Sequence, residues 1–147
     1  MTDKIPMNPK KRSKTKLLSE RKRYVGICGE LGYRVESDDS DEEDIIWFSG
    51  PHELAYSMLF DFVDNKFVGI YLQTAVEDTS SERIRDIEKY IAQEYRVTKC
   101  WYDDEALCLA FEFFDLDDDN SQLLIKYGVD AMTYAFKDVM DKFSEVF

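Results

Sequence analysis

The chain has 147 residues, of which 44% are hydrophobic and 14% aromatic. That length suits one domain, and so many aromatic residues argue against a disordered protein. No apolar run approaches the roughly 18–20 residues that a membrane span needs, and no apolar stretch follows the basic N-terminus to act as a signal peptide. We therefore expect a cytosolic protein. The three cysteines, an odd number, predict reduced and packed thiols, although Cys100 and Cys108, at the two ends of a predicted hairpin, could face each other.

The formal net charge of −12 is divided unevenly along the chain. Residues 1–23 carry nine Lys and Arg against two acids, a net charge of +7, whereas residues 24–147 carry ten against 29, a net charge of −19. The basic arm fits three hypotheses: contact with nucleic-acid phosphates, a targeting signal at Lys10–Lys14, or a solvated tail. The acidic body is expected to repel nucleic acid and anionic membranes and to favour basic partners.

The first third of the chain predicts a tail, a helix, a loop and a strand. Pro6 and Pro9 oppose regular structure, so residues 1–12 are predicted to form a flexible tail. A helix is predicted over about Ser13 to Leu31, ended by Gly32 in the left-handed conformation. The acidic segment 37–44 is predicted to be a loop, and Asp44–Ser49 a short strand. The predicted apolar positions of the helix are Leu17, Leu18, Tyr24, Val25, Cys28 and Leu31.

Strand alternation is clearest in the middle of the chain. Apolar residues recur at every second position from Leu54 to Phe62, and Asp64-Asn65 suits a tight hairpin into a strand over Lys66–Val76. Thr79-Ser80-Ser81-Glu82 then matches a capping box and predicts the start of a second helix. The predicted buried stripe of that helix is Ile84, Ile87, Ile91 and Tyr95.

The last third of the chain predicts two strands and a long helix. One strand includes Val97 to Tyr102, and the other has Leu107, Leu109, Phe111 and Phe113 in alternation. The helix follows Asp117–Ser121, and its buried stripe is Ile125, Val129, Met132, Phe136, Val139, Met140 and Phe143. The order α-β-β-β-α-β-β-α predicts one α+β domain over residues 13–147, with two layers and helices packed on a five-stranded antiparallel sheet.

The second face of such a sheet can meet solvent. Alternation places apolar side chains on that face, and a patch of this kind is typical of an interface. The alternative is that a helix end covers the patch. The predicted partner-binding residues are Leu59, Phe67, Tyr71 and Phe114, with Tyr102 as a further candidate.

No catalytic, metal-binding or cofactor-binding motif emerges from the sequence. His52, the single histidine, lacks further ligands at zinc spacing, and no motif accompanies it for a Ser-His-Asp triad. The run from Asp115 to Asn120 resembles the start of a calcium loop, but Asn120 stands where Gly is needed and Lys126 where Glu is needed. Acids before a helix stabilise its N-terminus, which explains the run more simply.

The order of elements resembles the secretion-chaperone-like fold shared by class I type III secretion chaperones and the YbjN family. The resemblance spans about Lys14 to Phe147 and is nearest in Tyr90–Phe114, which includes KCWYDDEALCLAFEFF, and in the closing helix. The Trp-Asn pair of many YbjN second helices is absent here, where the chain reads Glu88-Lys89-Tyr90-Ile91. The resemblance implies a small acidic protein, often dimeric, that binds other proteins, has no enzymatic role and supplies no catalytic residues.

These observations predict a non-enzymatic protein-binding module of chaperone or adaptor type, without a cofactor. We expect a homodimer that binds a protein partner through an apolar sheet or helix surface. The acidic body of the chain favours a basic partner. The alternative is an acidic inhibitor or immunity-type protein that blocks a basic site on a nuclease or another nucleic-acid enzyme. Contact with nucleic acid is expected only through the basic arm, and contact with membranes is not expected.

Overall fold

In a computed structural model, an antiparallel sheet has the helices of the described chain on one of its faces. The structure describes residues 9–36, 44–61, 66–76, 80–96, 98–103 and 105–147, with the side chains of residues 9–17 and 61 excepted. The main elements are α1 (Pro9–Glu30), β1 (Arg34–Val35), β2 (Ile45–Ser49), β3 (Ala55–Asp61), β4 (Phe67–Ala75), α2 (Ser81–Glu94), β5 (Lys99–Asp103), β6 (Ala106–Phe114) and α3 (Ser121–Lys142). The strand order is β1-β2-β3-β4-β6-β5.

The α+β class and the antiparallel sheet are confirmed, but the prediction of five strands is wrong. The described chain forms six strands, because Arg34–Val35 pairs with the end of β2 directly after α1. A strand of two residues is too short to show alternation, so no periodic pattern in the sequence indicates it. Within the described residues, no helix is long and apolar enough to cross a membrane.

Helix α1 differs from its prediction at its start and agrees at its end. It begins at Pro9, so residues 9–12, assigned to the tail, are helical. Proline is favoured in a first helical turn, where its missing N–H costs no hydrogen bond. At the other end Gly32 has φ +84°, and the Tyr33 amide donates to the Cys28 carbonyl at 2.9 Å. This is the predicted left-handed stop.

Helix α2 begins one residue later than the capping box predicts. Ser80 is the N-cap, and its hydroxyl accepts a hydrogen bond from the Arg83 amide at 3.1 Å. Glu82 is therefore not at the capping-box position. The stripe Ile84, Ile87 and Ile91 is buried as predicted. The predicted turn at Asp64-Asn65 and most of the acidic loop lie outside the described residues.

The hydrophobic core lies between the helices and one face of the sheet. Alternate residues of β2, β3, β4 and β6 enter it together with the predicted stripes of α2 and α3. In α1 the prediction was partly wrong: Leu18 is 46% exposed, whereas Ile27, not singled out, is buried. Helix α3 packs tightly against the sheet at Gly128, where an added Cβ would lie 2.2 Å from a ring carbon of Phe111.

A buried polar cluster joins α1 to the start of α3. The Asp115 carboxylate, fully buried, accepts hydrogen bonds from Arg23 at 2.8 Å, Tyr24 at 2.5 Å and Ser121 at 2.7 Å. Burial alone would raise the pKa of Asp115, but these three donors outweigh it and hold the pKa below its ordinary value. The first acid of the calcium-like run is thus engaged in structural hydrogen bonds.

Candidate functional site

The strand register defines a second sheet face that points away from the core. Trp47 pairs with Ser57, Ser57 with Tyr71, and Tyr71 with Ala110 across four neighbouring strands. Directly paired residues lie on the same face of a sheet. We call this surface the open face, and its large apolar members are Ile45, Trp47, Leu59, Phe67, Tyr71, Trp101 and Phe114. None of these side chains belongs to the core cluster that the helices cover.

Aromatic rings cover much of the open face, on which none of the described helices packs. Phe67 and Phe114 form one pair, with ring centroids 6.1 Å apart, and Tyr71 and Trp101 form a second pair at 6.4 Å. Trp47 is 44% exposed and Phe114 57%. Small residues between the rings are shielded, since Cys108 and Ala110 are almost completely buried on this face. The result is an aromatic surface that extends from Trp47 on β2 to Trp101 on β5.

Tyr71 is held in place by a glycine beneath it and a carboxylate beside it. Its hydroxyl donates to Glu112 at 3.0 Å, and Glu112 also forms an ion pair with Lys99. The ring lies so close over Gly69 that an added Cβ would be 2.1 Å from the hydroxyl oxygen. Burial, and then the hydrogen bond to Glu112, raise the pKa of Tyr71 well above its ordinary value. Tyr71 therefore remains a neutral hydrogen-bond donor near neutral pH.

The open face gathers four of the five residues predicted from the sequence. Leu59, Phe67, Tyr71 and Phe114 lie on it. Tyr102 pairs with Leu107, a core residue, and so lies on the helical side instead. Cys100 and Cys108 are free thiols on opposite faces, because Cys108 pairs with Trp101 and Cys100 with Leu109.

Sequence reasoning missed both tryptophans of the open face. Trp47 lies in a run of four apolar residues, where alternation gives no choice of face. The face of Trp101 depends on the turn before β6, because the Asp103–Ala106 pairing sets which of Trp101 and Tyr102 points to the core. A prediction that Asp103 pairs with Ala106 would have assigned it.

Charged groups border the aromatic surface at two places. Lys99 and Asp103 lie on the same side of β5, and both are exposed. Beyond Phe114 the chain continues into Asp117, Asp118 and Asp119, also exposed. Asp118 is 3.6 Å from Arg23 and 3.8 Å from Lys66. The border therefore carries charges of both signs, and it is the net charge of −12 that favours a partner presenting apolar and basic residues together.

His52, the other residue considered from the sequence, lies beside α3 and away from the open face. His52 is exposed, and its Nε2 is 3.4 Å from Lys137 Nζ. No group of three His, Cys, Asp or Glu side chains among the described residues is placed to hold a metal ion.

No protein-family description matches this sequence, and neither the curated proteins nor the solved structures include a match.

Proposed function

We propose that this chain is a non-enzymatic protein-binding module whose open face binds another polypeptide. One observation carries the proposal: an aromatic sheet face stands outside the core, with Trp47 44% and Phe114 57% exposed. Exposed apolar patches rimmed by polar groups mark interaction sites, and Trp and Tyr are enriched among the residues that dominate binding energy.

The charge of the chain supports a protein as the ligand. A net charge of −12 opposes approach to nucleic acid and to anionic membranes, although aromatic sheet faces do stack on bases in other settings. The apolar residues of the open face extend across strands β2 to β5, an area that suits a polypeptide better than a small molecule enclosed in a pocket. A polypeptide with apolar residues flanked by Lys or Arg fits both the rings and the negative net charge of the chain.

Tyr71 and Trp101 are the proposed main contacts, with Trp101 on the edge strand β5, Phe67 and Phe114 at one end, and Leu59 and Trp47 toward β2. The Glu112 hydrogen bond and the Trp101 ring fix Tyr71 before any partner arrives. A side chain already fixed loses little rotamer freedom on binding, which favours affinity.

The first experiment locates the partner on the surface. A photo-crosslinking residue replaces Ser57, which lies between Trp47 and Tyr71 on the open face, and a matched one replaces exposed Lys137 on the helical side. The proposal expects one protein to crosslink from position 57 and not from position 137. Equal crosslinking from both positions, or from position 137 alone, would contradict it.

The second experiment measures affinity for that purified partner. Phe67→Ala and Tyr71→Ala are each expected to weaken binding by about 2 kcal/mol, roughly 30-fold. The control Leu123→Ala removes an exposed side chain of α3 and should leave affinity unchanged. Wild-type affinity in both open-face variants would remove this face from consideration. A steep loss of affinity with salt that those variants do not alter would instead favour the acidic-inhibitor alternative.

A further inference from the structure

The two edges of the sheet differ in a way that bears on self-association. At one edge β1 has only two residues, and a short edge strand is a common protection against pairing. At the other edge β5 has five residues and, among the described strands, has β6 as its single neighbour. In an antiparallel ladder alternate residues direct their amide groups away from the partner strand, so β5 offers a ready edge.

Strand β5 carries one basic and one acidic residue, placed symmetrically about Trp101. Lys99 and Asp103 lie two positions on either side of it, and all three share the open face. An antiparallel copy centred on Trp101 would bring Lys99 opposite Asp103 of the second copy, twice by symmetry. A two-fold interface requires this self-complementarity, and opposite charges across a strand pair are stabilising.

The helical side of the same edge also carries surface that a second copy would cover. Tyr102 is 42% exposed and forms a cleft with Ile84, Arg85 and Glu88 of α2. In the register centred on Trp101, Tyr102 would lie opposite Cys100 of the second copy. Arg85 and Glu88 give the border of this cleft both signs of charge, which a two-fold axis can pair.

We propose that β5 is a self-association edge, on which a second copy of this chain pairs antiparallel about Trp101. The dimer goes beyond the proposed function, because it joins two open faces into one continuous surface. Trp101 and Tyr71 of each copy then lie near the centre of that surface, so a partner could contact both copies. The general repulsion between two acidic chains is largely screened beyond about 8 Å at physiological salt, whereas the strand contacts are shorter.

Charge reversals on β5 test the proposal through solution mass. At about 0.2 mM chain, where a Kd of 1 mM or tighter leaves a measurable dimer fraction, light scattering should show wild-type mass rising above 17.3 kDa toward twice that value. Lys99→Asp and Asp103→Lys, each alone, should raise the dimer Kd about tenfold or more, since each sets like charges opposite each other at two positions. Asp103→Lys makes the chain less negative. If general repulsion between the chains controlled association, this variant would therefore dimerise more tightly than the wild type, not more weakly.

Two recombinations complete the test. The exchange Lys99→Asp/Asp103→Lys should restore the dimer, and mixing the two single variants should give a heterodimer. Lys126→Asp on α3 changes the charge of the chain as Lys99→Asp does, away from this edge, and should leave the mass unchanged. A monomeric wild type, single variants that still dimerise, or an exchange variant that stays monomeric would each overturn the proposal.

The dimer and the partner surface can fail independently. If Asp103→Lys becomes a monomer and that monomer still binds the partner, the proposed function stands without the dimer. If the protein dimerises but its Tyr71→Ala variant keeps full partner affinity, the β5 dimer is supported and the open face is not the partner-binding surface. Circular dichroism of each variant confirms that the loss of mass does not reflect unfolding.

Discussion

The Tyr71 hydroxyl donates to the Glu112 carboxylate at 3.0 Å, between the neighbouring strands β4 and β6 of the open face. Glu112 is also paired with Lys99, so an ion pair and a hydrogen bond together fix a ring that none of the described helices covers. Tyr90 is held in a similar way, by the Asp138 carboxylate at 2.6 Å and the Phe143 ring, but it packs against the core on the helical side. Tyr71 combines this ordering with a position on the open face, and the combination makes it a prepared contact.

Gly69→Ala should weaken partner binding while the fold persists. The added Cβ would lie 2.1 Å from the Tyr71 hydroxyl, so the ring must leave both Glu112 and Trp101. The far end of a side chain can move cheaply, and Ala suits a strand better than Gly, so unfolding free energy should change by less than about 1 kcal/mol. Titration calorimetry with the partner and urea denaturation separate the two effects. A large loss of stability with unchanged affinity would contradict the expectation.

Asp115→Asn should destabilise the protein by about 2–4 kcal/mol, because it leaves Arg23 without its buried counter-charge. Arg23 is partly exposed at 27%, which places the value below that of a fully buried pair. The matched control is Asp118→Asn, since Asp118 also faces Arg23, at 3.6 Å, but is 61% exposed. It should cost less than about 1 kcal/mol. Urea unfolding curves measure both, and equal costs would show that burial of Asp115 is not the cause.

The same carboxylate predicts how stability depends on pH. The pKa of Asp115 in the folded state is held below its ordinary value by Tyr24, Arg23 and Ser121, against the opposing effect of burial. Its contribution is therefore complete above an unfolded-state pKa of about 3.9 and is lost as pH falls through the folded-state pKa. Unfolding free energy of the wild type should fall steeply below about pH 4, and that of Asp115→Asn less steeply. Parallel curves for the two proteins would refute this assignment.

The helix stripes and the central strands were predictable because their periods are strict. Ile84, Ile87 and Ile91 recur at helical spacing, and Tyr56, Met58 and Phe60 alternate through β3, so burial on one side follows directly. Leu59, Phe67, Tyr71 and Phe114 were placed on the open face by the same alternation. One face of a strand is fixed once the other is known to be core.

Features that depend on pairing between distant segments were not predictable in this way. Strand β1 exists because Arg34–Val35 lies beside the end of β2, not because of its own sequence. The sides of Trp101 and Tyr102 are set by one pair, Asp103 and Ala106, at the turn into β6. A shift of one residue at that turn would exchange the two faces, so two consecutive aromatic residues alone do not decide it.

Gly128→Ala should destabilise the fold by about 2 kcal/mol, since its Cβ would meet Phe111 at 2.2 Å in a packed core. Phe111 packs between two aromatic rings, with its ring centroid 5.7 Å from that of Phe113 and 6.0 Å from that of Tyr127. It therefore has little room to move away from the added Cβ. Gly26→Ala is the control, because nothing lies within 4 Å of its added Cβ and Ala favours a helix, which should stabilise the protein by about 0.5–1 kcal/mol. In a double-mutant cycle, Phe111→Leu should recover part of the Gly128→Ala loss. Additive effects in that cycle, or a stabilised Gly128→Ala variant, would mean that α3 does not approach the sheet at this position.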